Sequence, residues 1–154
     1  VAEHRVVAWS QAQNIITSAI FSPNGTMVVA GLYNGLCVFY HAEGLKYFTQ
    51  VECRNRHGKY RKGKKITGLQ FSPDEKKVTP KPFYSTQLLV TSNDSRIRLY
   101  DMDDYSLAAK YKGRSVFPQS CVGLTNDDLQ IRAFFSEDGK RIICGSENEY
   151  VYVW

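Results

Sequence analysis

One short signature is written three times in this chain of 154 residues, and it limits the possible folds more than any other feature. In one copy Phe71-Ser72-Pro73-Asp74 opens the unit and the apolar run Leu88-Leu89-Val90-Thr91-Ser92 follows. Asn93-Asp94-Ser95 then turns the chain, and Arg96-Ile97-Arg98-Leu99-Tyr100-Asp101 closes the unit. The first copy runs from Phe21-Ser22-Pro23-Asn24-Gly25 through Asn34-Gly35 to Cys37-Val38-Phe39-Tyr40. The third runs from Phe135-Ser136-Glu137-Asp138-Gly139 through Glu147-Asn148 to Tyr150-Val151-Tyr152-Val153-Trp154. Nineteen positions separate the opening Phe from the closing aromatic in the first and third copies, and twenty-nine in the second, the same unit with ten residues inserted. A repeat that keeps its register decides the architecture before any single residue does.

The residues between the anchors are strands and turns. Ile15 to Phe21 is rich in β-branched residues, Met27 to Ala30 is a short apolar run, and Lys46 to Glu52 is a more polar, outer strand. Ser22-Pro23-Asn24-Gly25 has explicit turn chemistry, with Pro presetting φ and Asn-Gly supplying positive φ. Ile66 to Phe71 and Leu107 to Tyr111 continue the pattern. Arg96 to Tyr100 alternates basic and apolar residues, as a half-buried strand does. Arg5 to Trp9 reads as one more strand. Pro80 and Pro82 keep the inserted Glu75 to Gln87 out of any central strand, and Lys112 to Gln130 is a second long connection. No stretch has sustained helical periodicity, so the chain is expected to be all-β.

The layout of strand, turn, strand, tight Asp turn, strand ending aromatic-Asp and outer strand resembles a WD-repeat β-propeller blade. The resemblance implies that Tyr100-Asp101 occupies the family's Trp-Asp position, Trp154 its Trp position, and Asp94 the tight-turn Asp. These four are therefore expected to be structural. The usual Gly-His dipeptide is missing from all three units, so the family's full His-Ser-Trp-Asp tetrad cannot be assembled. The expected organisation is a partial propeller of four-stranded antiparallel blades. Residues 1–10 would be the outer strand of a preceding blade, 15–53 and 66–111 full blades, and 131–154 an incomplete one. Gly63-Lys64-Lys65-Ile66-Thr67-Gly68, Gly44-Leu45-Lys46-Tyr47, Leu88 to Asp101 and Gly145 to Trp154 also look like the rabphilin-like family of Rab GTPase effectors. That likeness runs from about Ile15 to Trp154. It implies a cytoplasmic protein-interaction scaffold in vesicle or endosomal membrane traffic, peripheral on internal membranes. In that family the GTPase-binding segments lie outside the propeller, so no Rab contact is assigned to these residues.

One stretch carries concentrated chemistry. Arg54, Arg56, Lys59, Arg61, Lys62, Lys64 and Lys65 are seven cations within the twelve residues 54–65, with no acid among them. Placed between an outer strand and the next inner strand, they form a loop that suits an anionic membrane surface, a phosphoinositide headgroup or an acidic partner. The alternative is a solvated loop that only tunes solubility. Nucleic acid is the weaker partner, because only His57 and Tyr60 interleave as stacking groups. Phe83-Tyr84 and Phe117-Pro118 are aromatics in inserted loops, available for docking or for packing back on their own blade.

Catalytic chemistry has little to work with. His4, His41 and His57 are scattered, no Cys or carboxylate pairs with them at a recognised spacing, and there is no phosphate-cradling Gly loop. No cofactor or metal is expected. Cys37, Cys53, Cys121 and Cys144 lie far apart with no CxxC pair, and two of them fall in apolar strand patterns, which reads as reduced, buried thiols in a cytosolic protein. The N-terminus lacks both an initiator Met and a signal-peptide layout, as in a segment of a longer chain. An isolated arc of blades leaves a blade face and a strand edge open. The segment alone is therefore expected to pair with itself or dissolve poorly. Analytical ultracentrifugation tests this, and a cooperatively folded monomer would contradict it.

Overall fold

A computed structural model describes residues 4–55, 62–73, 86–113 and 123–154. Among these, eleven strands form three antiparallel sheets. The first contains β1 (Ile16–Phe21), β2 (Met27–Leu32), β3 (Leu36–His41) and β4 (Lys46–Glu52) in that order. The second contains β5 (Ile66–Phe71), β6 (Gln87–Ser92), β7 (Arg96–Asp101) and β8 (Leu107–Tyr111). The third contains β9 (Ala133–Phe135), β10 (Ile142–Gly145) and β11 (Val151–Val153). Each sheet is an up-and-down meander, the layout of a propeller blade. The one helical element described is a 3-10 turn at Glu43–Leu45.

The repeated signature makes the same turn twice. In the first sheet Ser22 Oγ donates to Asn24 Oδ1 at 2.7 Å, and the Thr26 N–H donates to that oxygen at 3.1 Å. In the third, Ser136 Oγ donates to Asp138 Oδ1 and the Lys140 N–H to the same oxygen at 3.1 Å. Gly25 and Gly139 supply the positive φ in each, at 72° and 67°. A short polar side chain that captures the backbone two residues on is the reason Asn and Asp fill this place.

The middle sheet is covered on both faces, and strand parity assigns the faces. Val29, Cys37 and Phe39 of the first sheet meet Leu88, Val90 and Tyr100 of the second. Leu89, Ile97 and Leu99 face the opposite way and pack against Ala133, Ile142 and Cys144 of the third. Side chains also stitch neighbouring sheets: Thr17 Oγ1 donates to the Ile66 carbonyl at 2.6 Å, and Gln70 Oε1 accepts from the Phe135 N–H at 2.7 Å.

Two expectations need correction. Arg5 to Trp9 forms no strand: residues 4–10 lie outside every ladder, and Trp9 is 82% exposed. A strand needs a neighbour with free N–H and C=O groups, and this segment joins none of the described sheets. The alternation in Arg96 to Tyr100 does not mark a half-buried strand either. Because β7 lies in a sheet covered on both faces, its basic residue Arg98 is buried at 1% exposure. The insertion at Glu75 to Gln87, with Phe83-Tyr84, lies almost wholly outside the described residues, as does Phe117-Pro118.

Clean alternation in the third sheet leaves Phe134, Ile143, Val151 and Val153 exposed on the face turned away from the second sheet. Between the first two sheets there is no spare room. A Cβ on Gly31 would lie 2.4 Å from Ser18 Oγ and 2.5 Å from Ile66 Cγ2. Gly31→Ala is therefore expected to cost about 1–3 kcal/mol by overpacking. Urea unfolding checks this, and an unchanged midpoint would contradict the packing described.

Candidate functional site

The tight turns of the three sheets and the connections that enter each new sheet lie on one face of the molecule. The basic loop has its base there. Its departing end follows β4, where the Cys53 N–H donates to the Gly35 carbonyl at 2.8 Å. Its returning end crosses the same turn: a Cβ on Gly35 would lie 2.7 Å from Gly63 Cα. Gly35 holds φ +84° and leaves no room for a side chain, so the Asn-Gly turn of the first sheet clamps both ends of the loop. The return is fixed again where the Asn93 N–H donates to the Lys65 carbonyl at 2.9 Å.

Beside this clamp lies a buried polar cluster on the second sheet. The Arg98 guanidinium pairs with both oxygens of Asp94, with Nη2 against Oδ2 and Nη1 3.1 Å from Oδ1. Ser92 Oγ accepts from Arg98 Nη1 at 2.8 Å and donates to Asp94 Oδ1 at 2.7 Å. Asn55, the second residue of the basic loop, completes the group. Its Nδ2 donates to Asp94 Oδ2 at 3.1 Å, and its Oδ1 accepts from Arg98 Nη2 and from Lys110 Nζ, each at 3.3 Å. Burial works against the Arg98 charge, but the Asp94 carboxylate outweighs it and holds the guanidinium more firmly protonated than usual. The phenol of Tyr100, on the same face of β7, is pushed up by burial and by the adjoining Cys53.

The following turn uses the same chemistry. Glu147 Oε1, in the tight turn of the third sheet, accepts the N–H groups of Asp127, Asp128 and Leu129 at 3.0, 2.9 and 2.7 Å. Slight burial would raise this carboxyl, but the three N–H groups and nearby Lys65 hold it below its ordinary range. In two successive sheets, then, an acid in the tight turn grips the incoming connection.

The expected site residues divide accordingly. Arg54 is exposed and paired with Glu52 at 2.6 Å. Lys62 and Lys64 are exposed. Lys65 is partly buried, with Nζ 3.4 Å from the Asp128 carbonyl. Arg56, Lys59 and Arg61 lie outside the described residues. Asp94 is the centre of the buried cluster, whereas Asp101 lies at the far end of β7 and caps the Asp103 N–H at 2.9 Å. Trp154 stacks on Tyr152 with centroids 5.8 Å apart, against the outer strand of the second sheet. Cys37, Cys53 and Cys144 are buried free thiols, the first two with sulfurs 3.6 Å apart, and Cys121 is outside the described residues. No three potential metal ligands cluster among the described residues.

Arg98, Asn55 and Lys110 were not singled out from the sequence. For Arg98 a signal was present, since it shares the parity of Tyr100 and so must point into the same core. No sequence signal announces Asn55, whose role depends on how the loop leaves β4.

A turn acid, a strand Ser and an incoming loop residue joined by hydrogen bonds are the parts from which WD blades are fastened, and the comparisons agree. The family model for the WD domain, G-beta repeat, matches residues 53–101. WD repeat-containing protein 44 of Xenopus laevis is 44% identical over 157 aligned residues, covering all of this chain. The chain belongs to the WD-repeat family. An uncharacterised WD repeat-containing protein of Schizosaccharomyces pombe is 27% identical over the whole chain. The 2-deoxy-glucose resistant protein 2 of Saccharomyces cerevisiae is 30% identical over 72% of it. The chain spans only 15% to 24% of the length of these relatives. WD-repeat domains generally act as protein-interaction scaffolds. The match over 53–101 includes both the entry to the basic loop and the Asp94 cluster. The relatives' names mention no Rab GTPase.

Removing one member of the buried pair leaves a buried charge. Asp94→Ala is expected to destabilise the fold by about 3–5 kcal/mol. Asp94→Asn combined with Arg98→Met should cost less than Asp94→Ala alone, because the buried charge goes with its partner. Denaturant unfolding of the three proteins checks this, and a double variant no more stable than Asp94→Ala contradicts it. Glu147 gives a pH dependence of known sign. Its folded pKa is depressed, so its contribution is complete above the unfolded value of about 4.3 and fades as pH falls through the folded value. Glu147→Gln should therefore lose stability relative to the parent at neutral pH, and the difference should narrow in acid. A constant gap would contradict this.

Proposed function

We propose that this chain is part of a protein-binding scaffold in a Rab-type GTPase pathway of vesicle or endosomal traffic, held peripherally at cytoplasmic membrane surfaces. The family supplies the scaffold. The Rab pathway rests on the likeness of Gly63 to Gly68, Leu88 to Asp101 and Gly145 to Trp154 to the rabphilin-like effectors. The observation that carries the scaffold reading is the face of clamped loops, where three tight turns fix the connections that a partner would meet. Loops held on a rigid frame present contacts without the entropy cost of ordering them on binding.

A second reading assigns the same face to an anionic surface, and the exposure of Lys62 and Lys64 at a pinned loop base favours it. Each cation near an anionic bilayer contributes about 1 kcal/mol. Partner binding through this loop would weaken steeply with salt, whereas binding through apolar loop contacts would not.

The full-length protein is expected to be retained by a Rab-family GTPase loaded with a non-hydrolysable GTP analogue, and much less by the GDP form. Co-precipitation with purified components measures this. Retention indifferent to nucleotide, or no retention across the Rab panel, would contradict the pathway assignment.

A further inference from the structure

The positive charge on this face does not end with the loop. Across the β7–β8 ladder Arg98 stands opposite Lys110 and Ile97 opposite Tyr111, so the next step brings Arg96 opposite Lys112. Arg98 is consumed by Asp94, which leaves Lys110 facing a guanidinium whose counter-charge is already engaged. Neither the Arg54–Glu52 nor the Arg98–Asp94 ion pair includes Arg96, Lys110 or Lys112. Lys110 and Lys112 are exposed, and Arg96 is half-buried with Nη1 anchored on the Ser95 carbonyl at 2.8 Å. Lys110 Nζ reaches Asn55 Oδ1, so these cations adjoin the base of the basic loop. Partial burial and the neighbouring positive charges of Arg98, Arg96 and Lys112 lower the Lys110 pKa, as expected where like charges crowd.

We propose that Arg96, Lys110 and Lys112, together with Lys62 and Lys64, form a site for a multiply phosphorylated inositol headgroup at a membrane surface. This rests on the anionic-surface reading above and narrows it. The chemistry favours phosphate over peptide carboxylates. Crowded cations on two elements are relieved best by a ligand that concentrates several charges on one ring, and a guanidinium fixed at one nitrogen still offers donors to phosphate oxygens. Most of the site is supplied by strand ends, which the buried Asp94–Arg98–Asn55 cluster keeps in register with the loop base. Phosphate recognition therefore does not depend on the loop tip.

The test is co-sedimentation of the full-length chain with vesicles of neutral lipid carrying phosphatidylinositol bisphosphate, against phosphatidylserine vesicles of equal total charge. Arg96→Gln, Lys110→Gln and Lys112→Gln should each weaken binding to the phosphoinositide vesicles about fivefold. Lys62→Gln with Lys64→Gln should weaken it further, while Lys110→Arg should retain it. Unchanged thermal melts establish that the variants are folded. If the strand variants bind like the parent while the loop variant fails, the headgroup site is overturned and the anionic-surface reading survives. Equal binding to both vesicle types, or displacement by an acidic peptide but not by soluble inositol polyphosphate, also overturns the headgroup site. No binding of the parent to either vesicle overturns both.

Discussion

The buried pair between Asp94 and Arg98 is the constraint on which the middle of this structure depends. An arginine at 1% exposure in the central sheet is tolerated because Asp94, Ser92 and Asn55 supply partners to both of its Nη atoms, while its buried Nε meets no hydrogen-bond partner among the described residues. Asp94 comes from the tight turn, Ser92 from the strand before it, and Asn55 from the connection that leaves the preceding sheet. One charge pair therefore fixes three things at once: the turn, the strand register and the entry of the next connection. The family's usual fastening uses a His and a Trp that this chain lacks here, and an Arg and an Asn do comparable work.

The fastening ties architecture to function. A basic loop on a soft attachment would lose its charge complementarity to conformational averaging. Here Gly35 clamps both ends of the loop, Asn93 holds its return, and Asn55 locks its start to the buried pair. Glu147 repeats the device on the next connection by gathering three consecutive N–H groups. The recurrence indicates a general solution for this chain, with an acid in the turn and donors on the incoming segment.

Much of the fold was legible in the residues. Ile66–Phe71 and Leu107–Tyr111 are strands with the bounds their patterns suggest, and Asn24-Gly25 and Asp138-Gly139 make the turns their chemistry requires. The half-buried reading of Arg96 to Tyr100 failed because alternation reports one covered face and says nothing of a second sheet behind the other. Arg5 to Trp9 has strand composition yet joins none of the described sheets, and composition alone cannot supply a pairing edge. The basic loop was visible as a run of charge. Its continuation through Arg96, Lys110 and Lys112 was not, because those residues meet the loop only through strand pairing and the reach of Asn55.

Asn55 couples the buried pair to the base of the basic loop, and native-state hydrogen exchange of Asn55→Ala probes that coupling. Protection at the Asn93 and Cys53 amides, which hold the loop to the two turns, should fall about tenfold. Leu89 and Val90 in β6 should remain as protected as in the parent. Unchanged protection at Asn93 and Cys53 would contradict the coupling, and so would an equal loss across β6.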